Sequence, residues 1–117
     1  MVAKKPFLAS KTSKVKKAKS QYSATLTITN GCFAGLEIPI KKKSTLLGRD
    51  KGCDICLDNS LVSSKHAVIL RTENGFVVED LNSRNGILVN GQEVHRETIR
   101  DGDTISIGQF DLRFSSH

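Results

Sequence analysis

Two neighbouring stretches decide the fold: GRDKGCDICLDNSLVSSKHAVIL at residues 48–70 and LNSRNGILVNG at residues 81–91. In both, short runs of β-forming residues are separated by turn residues, a pattern typical of strands. They also contain the pairs Gly48-Arg49 and Asn85-Gly86 and the block Ser63-Ser64-Lys65-His66. Arginine presents a planar fork to phosphate or carboxylate, and hydroxyl, amide and carboxamide groups donate to the same oxygens. These residues form no nucleophile–base arrangement and suit a surface that grips a phosphate carried by another molecule.

The same short, β-rich pattern extends over the rest of the chain beyond residue 21. Tyr22, Ala24, Leu26 and Ile28 alternate with serine and threonine, which predicts a half-buried strand. No segment of helical length shows a 3.6-residue period. The chain is therefore predicted to be an all-β sandwich. The other predicted strands are Leu36–Ile40, Thr45–Gly48, Ile55–Leu57, Ala67–Arg71, Phe76–Asp80, Ile87–Val89, Thr104–Ile107 and Asp111–Phe114.

Asn-Gly pairs mark the expected turns. They begin at Asn30, Asn74, Asn85 and Asn90, and Asp101-Gly102 is a similar pair. Asn-Gly favours positive φ at both central positions of a tight hairpin turn. Because β-forming residues flank them closely, we predict hairpins at the pairs that begin at Asn74 and Asn90.

The positive charge of the chain belongs to one segment. The formal net charge is +6, but residues 1–20 hold seven lysines and no acidic residue, which leaves 11 basic and 12 acidic residues in the remainder. A lysine-rich segment with few large apolar residues cannot offset its ordering entropy. We therefore predict a disordered basic arm at residues 1–20 and one nearly neutral folded domain at residues 21–117.

The arm has several possible roles. It can be a solvated tail, or its lysines can release counterions from a polyanion such as nucleic acid or acidic lipid. Thr12, if phosphorylated, could reach the phosphate-gripping surface of its own domain or of a neighbouring molecule. The chain has no apolar run of about 20 residues and no secretory h-region, so we predict a cytoplasmic protein without a membrane span.

The three cysteines do not predict a cofactor. They lie at positions 32, 53 and 56, an odd number that argues against a complete disulfide framework. Cys53 and Cys56 have C-x-x-C spacing, but no second pair completes a zinc tetrahedron. We expect no metal and no cofactor, and interpret these residues as buried or half-buried loop thiols.

The order Gly48-Arg49, Ser63-x-x-His66, Asn85-Gly86 and Asn90-Gly91 resembles the forkhead-associated (FHA) domain family. The resemblance covers roughly residues 24–114. It implies a β-sandwich of about eleven strands whose loops at one end bind phosphothreonine peptides. It also implies an apolar pocket for the threonine methyl group, which the sequence does not locate.

The resemblance further implies roles for individual residues. Arg49 and Ser63 would hold the phosphate oxygens, and Asn85 would hydrogen-bond the peptide main chain beside the phosphothreonine. Residues 59–62 and 81–84 would help to choose the third residue after it, where Leu61 hints at an apolar preference.

The chain departs from the family pattern at two positions. Ser64 stands where relatives often have arginine or asparagine, so its contact would be weaker or would come from Lys65. Arg84 replaces a commoner small or polar residue, and it either adds positive field near the phosphate or points to solvent.

Five residues are expected to support the site and not to contact the ligand. His66 would be a neutral imidazole that braces loop backbone, and Asn90 would close a hairpin. The glycines Gly48, Gly86 and Gly91 would meet backbone requirements.

We therefore predict a non-catalytic phosphothreonine-dependent binding module, taken as a monomer, whose partner is a phosphothreonine-containing protein in Ser/Thr-kinase signalling. Ser63 and His66 are close in sequence, but the sandwich offers no oxyanion hole or orienting carboxylate for an enzyme. Two alternatives stay open: a docking scaffold that ignores phosphate, and nucleic-acid binding through the arm.

Overall fold

The computed structural model describes residues 24–116, and it confirms the predicted all-β sandwich. The predicted strands are all present, with ends that differ by at most two residues where the chain is described. The arm at residues 1–20, including Thr12, lies outside the described residues. The elements in chain order are β1 (Ala24–Ile28), a 3-10 helix (Gly31–Phe33), β2 (Glu37–Ile40), β3 (Ser44–Gly48), β4 (Ile55–Cys56), β5 (Ala67–Thr72), β6 (Gly75–Asp80), β7 (Ile87–Val89), β8 (Gln92–Val94), β9 (Arg96–Ile99), β10 (Thr104–Ile107) and β11 (Phe110–Ser116).

Two strands that the sequence pattern had not located individually lie at sheet edges. The sheets have the orders β2-β1-β11-β10-β7-β8 and β4-β3-β5-β6-β9, so β8 and β9 each end a sheet. Their sequences, QEV and RETI, are largely exposed. These two strands bury little side-chain surface, so they lack the apolar alternation that reveals β1.

The two sheets enclose one apolar core. Along β1, Ala24, Leu26 and Ile28 are buried while the threonines between them are half-exposed, as the period of two predicts. Phe76 of one sheet and Phe114 of the other meet edge to face, with ring centroids 5.1 Å apart. Full burial of each large side chain contributes about 1.5–3 kcal/mol, which makes this core the main source of stability.

The turns only partly follow the Asn-Gly expectation. The hairpin between β7 and β8 does, because Val89 pairs with Gln92 and both loop residues have positive φ, 52° at Asn90 and 85° at Gly91. The hairpin between β5 and β6 also forms, but its loop residues are Glu73 and Asn74, and Gly75 already pairs with Thr72. At the Asn-Gly pairs that begin at Asn30, Asn74 and Asn85, only the glycine has positive φ. The expectation of positive φ at both residues of each pair was therefore wrong at these three.

Strand β4 pairs with β3 in parallel, unlike every other neighbouring pair among residues 24–116. The connection, residues 49–54, is short for a parallel pair. Asp54 ties its far end back to β3, since its Oδ2 accepts the N–H of Leu46 at 2.8 Å and Lys42 donates to the same carboxylate. Residues 49 and 50 are thereby held beyond the end of β3.

The register brings three loops to one end of the sandwich. Leu47 near the end of β3 pairs with Ala67 at the start of β5, which pairs with Asp80 at the end of β6. Residues 49–54, 57–66 and 81–86, called here the loop end, therefore lie together. Ala24, where the described chain begins, pairs with Ile40 and Ser116 at the opposite end. Within residues 24–116, no helix has the length and apolarity to cross a membrane.

Candidate functional site

Backbone hydrogen bonds carry the pairing of β3 past its last residue. The N–H of Arg49 donates to the carbonyl of Ser63 at 3.0 Å, and the N–H of Asp50 donates to the carbonyl of Ser64 at 3.2 Å. The half-buried Arg49 side chain reaches the exposed Ser64, where Nη2 lies 3.5 Å from Oγ. These backbone hydrogen bonds therefore hold the Arg49 guanidinium next to the Ser64 hydroxyl.

Gly48 is required by this close approach. A Cβ at this position would lie 2.2 Å from the Ser64 carbonyl oxygen and 2.9 Å from the Cys53 sulfur. Its φ is not in the positive region, so space and not backbone conformation excludes a side chain. The absence of a side chain lets the segment at Ser64 pack directly against β3.

Ser63 joins two loops. Its hydroxyl oxygen accepts the backbone N–H of Arg84 at 3.0 Å, and its own N–H donates to Nδ1 of His66 at 3.0 Å. A serine hydroxyl has one donor and two acceptor positions, so the Ser63 proton stays free for a further acceptor. The half-buried side chain thus combines a structural bond with a donor at the loop end.

His66 is fully buried and serves backbone groups on both sides of its ring. Because Nδ1 accepts the N–H of Ser63, the ring is the neutral tautomer whose Nε2–H donates to the carbonyl of Gly86 at 2.8 Å. This placement supports its interpretation as a brace between residues 57–66 and 81–86.

Asn85 is an exposed residue of the loop end, and one group of its carboxamide, Nδ2, is hydrogen-bonded. Its Nδ2 donates to the carbonyl of Leu61 at 2.9 Å. Among residues 24–116 its side-chain carbonyl and second N–H have no partner, so both can bond another molecule. The residue is exposed, so a peptide backbone can reach both groups.

A clamp from Asp80 to Ser83 shapes the loop that carries Asn85, and the sequence reasoning missed it. The Asp80 carboxylate accepts both the hydroxyl and, at 3.2 Å, the N–H of Ser83. The Ser83 oxygen then accepts the N–H of Gly86 at 2.9 Å. An aspartate that ends a strand three residues before a serine is a turn signal that could have indicated the clamp.

The remaining predicted residues are not equally close. Lys65 and Arg84 are exposed at the loop end and add positive charge there, although only the backbone of Arg84 joins the network. Asn90 and Gly91 lie at the other end of β7, where Asn90 bonds Asp103 at 3.0 Å and the N–H of Thr104 at 2.9 Å. They close a hairpin, and the structure does not bring them to the loops.

Two cysteine thiols contact the same backbone. Cys53 donates to the carbonyl of Ser64, and Cys56 to the carbonyl of Arg49, each with 3.3 Å between sulfur and oxygen. Burial raises the pKa of Cys53, while Cys56 is exposed, so the expectation of burial was wrong for Cys56. The described residues contain no cluster of three or more potential metal ligands.

Comparison with known proteins identifies the family. The FHA domain model matches residues 45–108. An oxoglutarate dehydrogenase inhibitor of Corynebacterium diphtheriae is 36% identical over 89 residues, covering 76% of this chain and 62% of that protein. The glycogen accumulation regulator GarA of Mycolicibacterium smegmatis is 39% identical over 93 residues, covering 79% and 58%. The chain thus spans less than two thirds of either relative.

Solved structures show the same fold. A chain from a study of phosphothreonine-dependent FHA domain interactions superposes with a TM-score of 0.75 at 29% identity, covering 81% of this chain and 97% of that one. Mycobacterium tuberculosis EmbR, solved with a low-affinity phosphopeptide, gives a TM-score of 0.75 at 34% identity, covering 80% and 24%. Because the family model spans more than half of the chain and relatives above 30% identity cover most of it, the chain belongs to the FHA domain family.

Proposed function

We propose that this FHA domain binds phosphothreonine peptides at the loop end and catalyses no reaction. Two hydrogen bonds at the loop end carry the proposal. The Arg49 guanidinium lies against the Ser64 hydroxyl, and the Ser63 hydroxyl accepts the backbone N–H of Arg84, the residue before Asn85. Solved FHA domains studied for phosphothreonine dependence or with a phosphopeptide support it. The proposed domain is residues 21–117, taken as monomeric and cytoplasmic.

The binding mechanism is electrostatic and geometric. A phosphothreonine carries about −1.5 to −2 charge near neutral pH and has three strong acceptor oxygens. Arg49 provides the guanidinium fork, and the hydroxyls of Ser63 and Ser64 donate beside it. Lys65 and Arg84 are exposed at the same end and add a positive field without being fixed to one oxygen.

Asn85 holds the peptide and not the phosphate in this mechanism. Its side-chain carbonyl accepts a peptide N–H, and its second N–H donates to a peptide carbonyl. Charge-assisted hydrogen bonds contribute about 1.5–3 kcal/mol each, from which the cost of ordering the peptide is subtracted. A dissociation constant on the order of micromolar, about −8 kcal/mol, is expected.

The bonding of His66 argues against catalysis by the nearby Ser63. A nucleophilic serine needs its hydroxyl within reach of a free ring nitrogen of the base. Here Nδ1 is occupied by the Ser63 backbone N–H and Nε2 by the Gly86 carbonyl. The imidazole therefore has no nitrogen available to take a proton from the Ser63 hydroxyl.

The test begins with a degenerate phosphothreonine-peptide library, run beside unphosphorylated and phosphoserine versions. Calorimetry with the selected peptide should give micromolar affinity that disappears without phosphate or in Arg49→Ala. Arg113→Ala, which removes an exposed arginine on β11, is the matched control and should bind normally. Selection of unphosphorylated peptides, or normal binding by Arg49→Ala, would instead indicate a docking scaffold that ignores phosphate.

A further inference from the structure

A cleft opens directly beside Asn85. It measures about 260 Å³ and takes its walls from the loop end and its floor from the outer face of the six-stranded sheet. We call it the side-chain cleft, and the residues that matter to its chemistry are Leu61, Asn85, Leu88, Glu93 and Ser106. Since Asn85 is one of these residues, a peptide that bonds Asn85 would lie beside the cleft.

The floor is one row of outward-facing side chains. Ser106 of β10 pairs with Leu88 of β7, which pairs with Glu93 of β8. Their strand neighbours Ile87 and Ile105 are buried in the core, so alternation turns this row to solvent. A leucine therefore lies between a hydroxyl and a carboxylate.

The wall above the floor is fixed and apolar. The N–H of Leu61 donates to Oδ1 of Asn59 at 2.9 Å, and its carbonyl accepts Nδ2 of Asn85 at 2.9 Å. Even so, Leu61 is 41% exposed and Leu88 is 38% exposed. Two partly exposed leucines thus line the same cleft.

Glu93 is the charged residue of the cleft. Its Oε2 lies 3.1 Å from the position that a Cβ on Gly86 would occupy, so the carboxylate packs against the backbone next to Asn85. Within residues 24–116 the carboxylate has neither a hydrogen bond nor an ion pair. The other lining residues are uncharged, so no cation of the cleft neutralises it.

We propose that the side-chain cleft selects a lysine or arginine of the bound phosphopeptide through Glu93. The aliphatic stem of that residue lies on Leu61 and Leu88, and its cationic head reaches the carboxylate. Long basic side chains often divide in this way between apolar surface and a charge. The proposal rests on the proposed function, since the peptide is positioned by the phosphate and by Asn85.

Other occupants fit less well. A purely apolar side chain covers the two leucines but removes water from an unpaired carboxylate, which is unfavourable. An acidic side chain adds repulsion between like charges. A basic side chain matches the apolar wall and the charge together.

The test uses the phosphothreonine peptide selected from the library. Lysine, norleucine and glutamate are placed in turn at each position flanking the phosphothreonine, and affinities are measured by calorimetry. At one position we expect lysine to bind about two- to fivefold better than norleucine, as for an exposed ion pair, and glutamate to bind worst. Added salt should reduce the lysine advantage.

Variants of Glu93 separate an effect of its charge on binding from an effect on folding. Glu93→Gln should bring lysine down to the norleucine affinity, and Glu93→Lys should make glutamate the preferred residue. Glu97→Gln, at an exposed glutamate of β9 in the other sheet, is the matched control and should keep the lysine advantage. Thermal unfolding of each variant checks that it is folded.

The outcomes distinguish the two levels of the proposal. Phosphate-dependent binding without a lysine preference, or with one that survives Glu93→Gln, overturns the selection by Glu93 and leaves the proposed function standing. Failure of every peptide to bind in a phosphate-dependent way overturns both.

Discussion

The hydroxyl oxygen of Ser63 accepts the backbone N–H of Arg84 at 3.0 Å, and in doing so joins the loop between β4 and β5 to the loop between β6 and β7. Among residues 24–116 the proton of this hydroxyl has no acceptor, and we propose that it is donated to a phosphate oxygen. In the proposed mechanism this side chain both shapes the site and donates to the ligand, whereas the exposed hydroxyl of Ser64 bonds, among residues 24–116, only the side chain of Arg49.

Ser63→Ala should therefore affect both binding and stability. We expect phosphopeptide affinity to fall by more than one hydrogen bond would explain, and stability to fall by about 0.5–1.5 kcal/mol as the Arg84 N–H loses its partner. Calorimetry and urea unfolding measure the two effects. Ser64→Ala is the control, with a smaller loss of affinity and little change in stability; equal effects at both serines would contradict the linking role of Ser63.

Gly48→Ala tests the close packing at the end of β3. The new methyl group would clash with the Ser64 carbonyl and the Cys53 sulfur, so the segment at Ser64 must move. We expect a loss of about 1–3 kcal/mol in urea unfolding, together with weaker phosphopeptide binding. Gly52→Ala adds its methyl group to open space without positive φ, and it should change stability by about 0.5 kcal/mol or less.

His66→Ala removes the brace between the loops. The Ser63 N–H and the Gly86 carbonyl would both lose their partner, at about 1–3 kcal/mol for each group that stays buried and unsatisfied. We expect a large drop in the urea midpoint and loss of binding. His95→Ala, at an exposed histidine, should be nearly neutral. A stable variant with normal affinity would show that the loops hold their shape without the imidazole.

Asp54→Asn should make stability less dependent on pH. The hydrogen bond from the Leu46 N–H, and after it the bond from Lys42, lower the pKa of Asp54 in the folded protein. The carboxylate therefore stabilises the fold at pH values above the pKa of this group in the unfolded chain, which is about 4. This contribution is lost as the pH falls through the lower pKa of the folded protein. The variant should be less stable than the wild type at neutral pH, and the difference should shrink below about pH 4. Urea unfolding over that range measures it, with Asp58→Asn as the exposed control; a constant difference would contradict the charge effect.

Deletion of residues 1–20 should leave phosphopeptide affinity little changed. The described chain begins at Ala24, at the end of the sandwich opposite Arg49. Calorimetry with the same peptide checks this, and a large loss would place the arm in the site. A gel shift with and without residues 1–20 tests the alternative of nucleic-acid binding through the arm.

The sequence predicted the parts of the fold that depend on local patterns. The alternation in β1 and the turn at Asn90-Gly91 are read directly from residue types, and both are observed. The polar edge strands β8 and β9 were not located, because their placement comes from pairing with a neighbour and not from their own apolar residues.

The candidate site shows the same division. Arg49, Ser63 and Asn85 were named from their side-chain chemistry and from the resemblance to the FHA family, and the structure brings them to one end. The placement of Glu93 beside the cleft could not be foreseen, because it follows from the cross-strand register with Leu88. The exposure of Cys56 was also missed, since burial in a loop depends on what packs over it.

The pairing of Ala24 with Ser116 determines where a fusion partner or a solid support can be attached to this domain. Both described chain ends leave the sandwich on the side away from Arg49. A solid support, a fluorescent fusion or a preceding domain joined there leaves the opposite surface unobstructed. An attachment at either described chain end therefore leaves the loop end accessible to a peptide.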